Sequence, residues 1–380
     1  MTKLILIDAR YLDGTYSGIA TYSRCLIEHL ARIDTTNHYY VVIRPGFRDN
    51  LRTGPNFEFL TYRPRPISMA SYLRFHEYVE EIGPDIVHSL APHVPIFWNG
   101  PLLVTVHDLQ PFLDPDFSAK RTRTLRALYN LFYRWAYPTT MAKAKWVICD
   151  SHATRDDVAR LLPGTLAKLI VVPPGIEPVA DEPPSPARIE AIRAKANIPG
   201  RYFLYYGSTR PNKNLPNLVK AFARALRELG EQGQDLRLVL VLRRDRFFRD
   251  IARAIHSRKL EDRVLVLDPI PNDERQALLA GALAFVFPSK YEGFGFPPLE
   301  AMQLNIPVLG GSSGALPEVL GDAALLVDPD SLDDIAAGLC RLARDASLRQ
   351  ELIARGRQQV LRFDWNECAE RIHDIYNLLV

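Results

Sequence analysis

Pro288-Ser289-Lys290-Tyr291-Glu292-Gly293-Phe294-Gly295-Phe296-Pro297-Pro298-Leu299-Glu300-Ala301-Met302 is the stretch on which the reading of this chain turns. It follows an apolar run at 283–287 and leads into a helical pattern that opens at Pro298, so it reads as strand, glycine-rich turn and helix. Glu292 falls on the turn and Glu300 about one turn into the helix, eight residues later. Glycines at 293 and 295 let backbone approach a ligand closely, and their N–H groups can bind anionic oxygens. The helix N-terminus adds partial positive charge. A carboxylate beside such an anion site suits sugar hydroxyls, which are hydrogen-bond donors. A plain strand–turn–helix with a capped end would also satisfy the local pattern, and two glutamates alone would carry little weight.

The surrounding chain repeats the same alternation. An apolar strand at 4–7 ends in Asp8, a loop with Gly14 and Gly18 follows, and Ile19, Tyr22, Leu26 and Leu30 then recur at helical spacing. Strands are predicted at 39–43, 85–88, 102–106 and 146–149, with a helix at 72–82 and another from Ser151, a plausible N-cap residue. A proline-rich stretch, from Val172-Pro173-Pro174-Gly175 to Pro183-Pro184-Ser185-Pro186, interrupts the pattern and reads as a linker. The alternation then restarts, with strands at 202–206, 236–242, 264–267, 283–287, 307–309 and 324–327. Helices are expected at 218–229, 276–282, 298–304, 333–344, 348–362 and 365–380. Alternating strands and helices imply parallel sheets. The expected fold is α/β, two Rossmann-like, doubly wound domains facing each other across a cleft. In such sheets ligands bind beyond the carboxyl ends of the strands.

The block from Ser289 to Met302 resembles the signature of glycosyltransferase family 4, of the two-domain GT-B architecture: Glu-x7-Glu set in Ser-x-x-Glu-Gly-Phe-Gly-x-Pro-x-Leu-Glu-Ala-Met. The likeness continues through Ile306-Pro307-Val308, Leu316-Pro317-Glu318-Val319 and Gly321-Asp322-Ala323-Ala324. It covers most of the chain and is densest in the second half. The resemblance implies an acceptor-binding domain at 1–175, to which a C-terminal helix at 364–380 returns, and a nucleotide-sugar domain at 176–363. It also implies that Glu292 binds the hydroxyls of the donor sugar and Glu300 the ribose of the nucleotide.

Other strand ends carry further candidates. Gly207-Ser208-Thr209-Arg210-Pro211-Asn212-Lys213-Asn214 follows the strand at 202–206. A departing nucleoside diphosphate gains negative charge, and fixed cations stabilise it more in the transition state than in the ground state. The resemblance gives Arg210 and Lys213 this role, without metal. It brings Gly14 and Gly18 toward the donor phosphates, although the loop lacks the third glycine of a dinucleotide fingerprint. Thr105-Val106-His107-Asp108 ends a central strand, and the resemblance places His107, with Asp108, near donor sugar and acceptor. There His107 would act through its ring on sugar hydroxyls or through its backbone carbonyl. His88 reads as structural. Base recognition is expected around Arg243 and Pro269-Ile270, and Phe294 joins the donor-binding set with Gly293 and Gly295.

Two Asp-x-Asp triplets, Asp114-Pro115-Asp116 and Asp328-Pro329-Asp330, each contain proline, and turn and capping chemistry accounts for them. No metal site and no cofactor are expected; the nucleotide sugar is a co-substrate. Lys120, Arg121, Arg123, Arg126, Tyr129, Phe132, Tyr133, Arg134, Trp135 and Tyr137 form a basic, aromatic stretch. It reads either as a helix on an anionic membrane surface or as a solvated helix with its aromatic face in the core.

Composition bounds the rest. The chain has 380 residues, 47% of them apolar and 24% charged, enough for two cored domains. Its 47 basic and 44 acidic residues leave a net charge of +3, which argues against wholesale nucleic-acid binding. The four cysteines include no Cys-x-x-Cys pair and suit a reducing cytosol. The N-terminal residues lack a signal-peptide pattern, and no apolar run approaches the roughly 20 residues of a spanning helix. The expectation is a cytoplasmic protein, soluble or peripheral at the inner face of the membrane.

The resemblance implies a retaining, metal-independent hexosyltransferase. Its partners would be a nucleotide-sugar donor and a glycan or lipid-linked oligosaccharide acceptor. Family members with the Gly-Ile-Ala-Thr-Tyr-Ser opening at 18–23 and the Arg-Pro-Asn-Lys-Asn loop at 210–214 often build bacterial polysaccharides, and the resemblance suggests GDP-mannose as donor. The alternatives are a non-hydrolysing nucleotide-sugar epimerase, a catalytically silent nucleotide-sugar-binding scaffold, and a nicotinamide oxidoreductase, the last disfavoured by the incomplete glycine fingerprint.

Overall fold

Five consecutive residues from Tyr202 to Tyr206 are buried, as are five from Leu102 to Val106. A strand with both faces covered reads as a continuous apolar run, and helices on both sides of a parallel sheet are what cover it. The computed structural model describes residues 2–12, 18–47, 51–66, 68–92, 97–113, 123–178 and 183–379. The chain divides into two units, Met1–Gly175 with Asp364–Val380, and Ile176–Phe363.

The first unit runs β1 (Leu4–Asp8), α1 (Gly18–Ile33), β2 (His38–Ile43), β3 (Phe57–Thr61), α2 (Met69–Ile82), β4 (Ile86–Ser89) and β5 (Leu102–Val106). It continues through α3 (Gln110–Leu113), α4 (Arg123–Lys143), β6 (Trp146–Cys149), α5 (His152–Leu161) and β7 (Leu169–Val171). Its strands pair in parallel in the order β3-β2-β1-β4-β5-β6-β7. The order reverses between β1 and β4, which is where such sheets bind ligands.

The second unit runs α6 (Pro186–Lys195), β8 (Tyr202–Tyr206), α7 (Leu215–Leu229), β9 (Arg237–Val241), α8 (Phe248–His256), β10 (Val264–Leu267), α9 (Asn272–Ala280) and β11 (Ala284–Phe287). It ends with α10 (Phe296–Gln303), β12 (Val308–Gly311), α11 (Leu316–Leu320), β13 (Ala324–Val327), α12 (Leu332–Arg344) and α13 (Ala346–Val360). The sheet order is β10-β9-β8-β11-β12-β13, again parallel throughout, with its reversal between β8 and β11.

The last helix, α14 (Trp365–Leu378), belongs to the first unit. Asp364 caps it by accepting from the Asn366 N–H at 2.6 Å. Its Tyr376 hydroxyl meets Nδ1 of the buried His88 at 2.6 Å, and Lys3 donates to the Tyr376 carbonyl at 2.8 Å. Gly175 passes so close to the start of α14 that a Cβ there would lie 2.1 Å from the Trp365 nitrogen.

Several elements differ from the sequence reading. The proline stretch is not all linker: Pro186 is the first residue of α6, where its fixed φ suits the helix, and the Ser185 hydroxyl caps it by accepting from the Arg188 N–H at 3.2 Å. The sheet-edge strands β3 and β7 are absent from the sequence reading: β3 is largely exposed and broken by Glu58, and β7, though apolar, is only three residues long and runs straight into the proline stretch. The short helices α8 and α11 were also unread. Ser151 caps α5 as expected, accepting from the Thr154 N–H, and Ser331 likewise caps α12, accepting from the Asp334 N–H.

Candidate active site

In the second unit the carboxyl ends of β8 and β11 lie side by side, with the Tyr205 and Phe287 rings stacked at 5.9 Å. The loops that follow are stitched to each other. Asn212 donates to the Tyr291 carbonyl at 3.0 Å, and the Lys290 N–H donates back to the Asn212 carbonyl at 2.8 Å. Asn214, in the left-handed region at φ 63°, donates its amide to the carbonyls of Pro288 and Pro329 at 3.2 and 2.6 Å. These bonds bring Lys213 to Glu292: its ammonium donates to Oε1 at 2.6 Å, and both side chains are largely buried. The ammonium also lies 5.0 Å from the centre of the Phe287 ring. Arg210, on the same loop, is exposed.

The Glu292 turn rests on glycine. Gly314, at φ 61°, packs against it so tightly that a Cβ would lie 2.7 Å from the Glu292 carbonyl oxygen, and the Ala315 N–H donates to that oxygen at 2.9 Å. Gly295, at φ 116°, precedes the first residue of α10. Gly293 is buried beside it. Phe294 turns into an aromatic cluster with Phe296 and Phe363 at 5.2 and 5.3 Å, so its side chain serves packing. Glu300 accepts the Tyr206 hydroxyl on Oε2. Burial first, and then the Glu300 carboxylate, push the Tyr206 phenol well above its ordinary value, so it remains a donor. Arg275 lies 3.5 Å from the same carboxylate oxygen and 4.6 Å above the Tyr206 ring.

In the first unit His107 follows β5. Its Nδ1 lies 2.7 Å from Asp150 Oδ2 and its Nε2 2.9 Å from the Leu90 carbonyl oxygen. Both ring nitrogens are thus engaged within the protein, and the ring has none to spare for a sugar hydroxyl. The His107 carbonyl accepts from the Thr154 hydroxyl at 3.3 Å and keeps a second lone pair. Asp108 accepts from the Gln110 N–H at 2.9 Å, opening the short α3. Gly18 is the exposed first residue of α1. Gly14 and the triplet Asp114-Pro115-Asp116 lie outside the described residues. His88 is fully buried between the Tyr376 and Thr105 hydroxyls at 2.6 and 2.9 Å.

Arg243 is exposed after β9, and Ile270 is half-buried before α9. In the other triplet Asp330 N–H donates to Asp328 Oδ1 at 2.9 Å, and Asp328 N–H donates to Asp334 Oδ2 at 2.6 Å, which is turn and capping chemistry. Sequence reasoning missed Tyr206, Arg275, Asp150 and Gly314. Tyr206 ends the strand that leads into the Arg210–Lys213 loop and Asp150 directly follows the strand at 146–149, and those strand-end positions were the available signal; Arg275 carried none.

Comparison with known proteins shows the family and the fold. The model of the family described as glycosyl transferases group 1 matches residues 188–359, and that of Glycosyltransferase Family 4 matches residues 16–179. O-antigen chain mannosyltransferase B of Escherichia coli is 30% identical over 283 residues, 73% of this chain and 70% of that protein. Alpha-maltose-1-phosphate synthase of Mycobacterium tuberculosis is 26% identical over 413 residues, covering 98% of each. The fold is shared with sucrose-phosphate synthase from Thermosynechococcus elongatus, at a TM-score of 0.77 and 23% identity over 99% of both chains. One model falls on each unit, and the relative at 30% identity spans most of both proteins: the chain belongs to glycosyltransferase family 4 and is a glycosyltransferase.

Proposed function

We propose that this glycosyltransferase moves mannose from GDP-mannose onto a growing polysaccharide glycan, free or lipid-linked, with retention of configuration and without a metal ion. The observation that carries the reading is the 30% identity to an O-antigen chain mannosyltransferase over 283 residues. In this reading the second unit takes the donor. Lys213 and Arg210 hold the diphosphate, supplying positive charge where charge develops as the bond to C1 breaks. Glu292 orients the sugar hydroxyls and Glu300 the ribose. The Lys213–Glu292 ion pair then marks where diphosphate and sugar meet. The acceptor hydroxyl oxygen bonds to C1 on the face the diphosphate leaves, and the hydroxyl proton passes to a diphosphate oxygen. The first unit takes the acceptor.

A lipid-linked acceptor implies a membrane, and no helix among the described residues is long and apolar enough to cross one. The contact we assign is peripheral, at the cytoplasmic face. Leu128, Leu131 and Trp135 form an exposed stripe on α4, and Met69 and Leu73 another on α2. Tyr72 and Trp135 join the two helices at 6.1 Å between rings. The exposed Arg74 and Arg134 favour an anionic bilayer surface over another occupant.

The match to alpha-maltose-1-phosphate synthase spans nearly the whole chain and supports a glucosyl donor as the second reading. Thermal shifts with GDP, UDP and dTDP, each with and without EDTA, separate the two, since a ligand of the folded state raises the melting temperature by mass action. A shift by GDP that survives EDTA, with mannose transferred from GDP-mannose in the same anomeric form, is the expected result. A shift by UDP alone moves the reading to glucose, and no shift from any of the three overturns it.

A further inference from the structure

Resting on that reading, we infer that Arg275 and Tyr206 are positioning residues for Glu300, holding one carboxylate oxygen so that the other is presented to the ribose diol of the donor nucleotide. The three side chains come from α9, the end of β8 and α10, and they converge on one atom. The Tyr206 hydroxyl donates to Glu300 Oε2, and an Arg275 guanidinium nitrogen lies 3.5 Å from the same oxygen. Arg275 is itself held, its guanidinium 4.6 Å over the Tyr206 ring and one nitrogen donating to Asn272 Oδ1 at 2.5 Å.

All the hydrogen bonds and ion pairs of the Glu300 carboxylate fall on Oε2, so among the described residues Oε1 has no partner. An ionised carboxylate only accepts, and a ribose diol offers two O–H donors, so the vacant oxygen matches the ligand chemically. A free glutamate would have to be immobilised on binding, at a cost in rotamer entropy that the Arg275–Tyr206 pair removes beforehand. Arginine suits the task, because its planar fork is pre-organised and it stacks on aromatic faces. Stability is a poor explanation for the arrangement. The Arg275 and Glu300 side chains are 27% and 22% exposed, and ion pairs reached by solvent contribute little to folding.

Calorimetric titration of the full chain with GDP and with 2′,3′-dideoxy-GDP, and in parallel with the UDP pair, tests this. The wild type is expected to prefer the ribose form by about tenfold or more, the value of a charge-assisted hydrogen bond. Arg275→Ala and Tyr206→Phe should each lose about tenfold for the ribose form and almost nothing for the dideoxy form, with the melting temperature without nucleotide unchanged. Arg275→Lys should recover part of the loss, and Arg275→Ala should add nothing in a Glu300→Gln background. Equal weakening of both forms in Arg275→Ala, or a preserved ribose preference, overturns the inference while leaving the donor-site reading intact. A wild type that binds nucleoside diphosphate without discriminating the dideoxy form overturns the ribose role of Glu300, and this inference with it.

Discussion

The carboxylate of Asp150 lies 2.7 Å from Nδ1 of His107, on the opposite side of the ring from the Leu90 carbonyl, 2.9 Å from Nε2. Both partners are acceptors, so a ring that satisfies both carries two N–H groups and a positive charge. Burial opposes that charge, but the Asp150 carboxylate and the Leu90 carbonyl outweigh it and raise the imidazole above its ordinary value. With the folded value above the unfolded one of about 6.5, the stabilisation is complete below pH 6.5 and is lost as pH rises through the folded value. Asp150→Asn is expected to lower the His107 titration midpoint in an NMR titration. It should also destabilise the fold by about 3 kcal/mol in denaturant melts, as expected when one member of a buried pair is removed.

His88 should behave in the opposite sense. Burial, and then the nearby His107, push its value down to about 3, so it stays neutral in the folded chain. The unfolded chain takes up the proton near pH 6.5, so stability is intact above that pH and falls as pH drops toward 3. Melting curves between pH 7 and 4 are expected to show a shallower acid loss for His88→Gln than for the wild type, at the cost of a lower melting temperature at pH 7.

Lys213→Ala removes the ammonium from beside Glu292 and is expected to lower kcat/KM by about 100-fold or more, with weaker nucleoside diphosphate binding. Glu292→Gln keeps the size of the side chain and loses only charge. It should reduce turnover comparably while leaving affinity for the free diphosphate within about threefold. Steady-state rates paired with calorimetry separate the two effects; equal loss of diphosphate binding in both variants would contradict the assigned roles.

Gly314→Ala places a Cβ against the Glu292 backbone at a φ of 61°, strained on both counts. The Glu292 turn must shift. Activity is expected to fall at least about tenfold, because a displacement of about 1 Å is enough to misalign reacting groups. Gly164, where a Cβ meets nothing within 4 Å, is the control: Gly164→Ala should leave activity unchanged.

Leu131→Glu with Trp135→Glu puts two carboxylates on the exposed α4 stripe. Sedimentation with vesicles containing phosphatidylglycerol is expected to capture the wild type and lose the double variant, while transfer to a soluble acceptor continues. Equal capture of both would remove this face as the membrane contact.

Much of the architecture was legible in the sequence because a buried parallel strand announces itself locally. The runs at 202–206 and 102–106 and the Gly-rich turn at 293–295 need no distant partner to be recognised. The edge strand β3 was not legible, since most of its surface faces water and its only apolar alternation, Phe57-Glu58-Phe59, is too short to stand out. The reading of Pro183 to Pro186 as one linker failed for a related reason: a proline at the first position of a helix looks, in sequence, like a proline that forbids one.

By itself the sequence determined the local units and the chemical types at their ends: a Glu-x7-Glu block after one strand, an Arg and a Lys after another, a His-Asp pair after a third. Only the tertiary structure decided which groups share an atom. Tyr206, Arg275 and Glu300 meet at one carboxylate oxygen although 94 residues separate the first from the last. The His107 ring is committed to Asp150 and Leu90, and so withdrawn from sugar hydroxyls, which leaves only the backbone carbonyl for the role its position suggested. Strand and helix patterns are short-range properties of the chain, whereas the partner of a polar atom is set by sheet order, strand register and the packing of helices from remote segments.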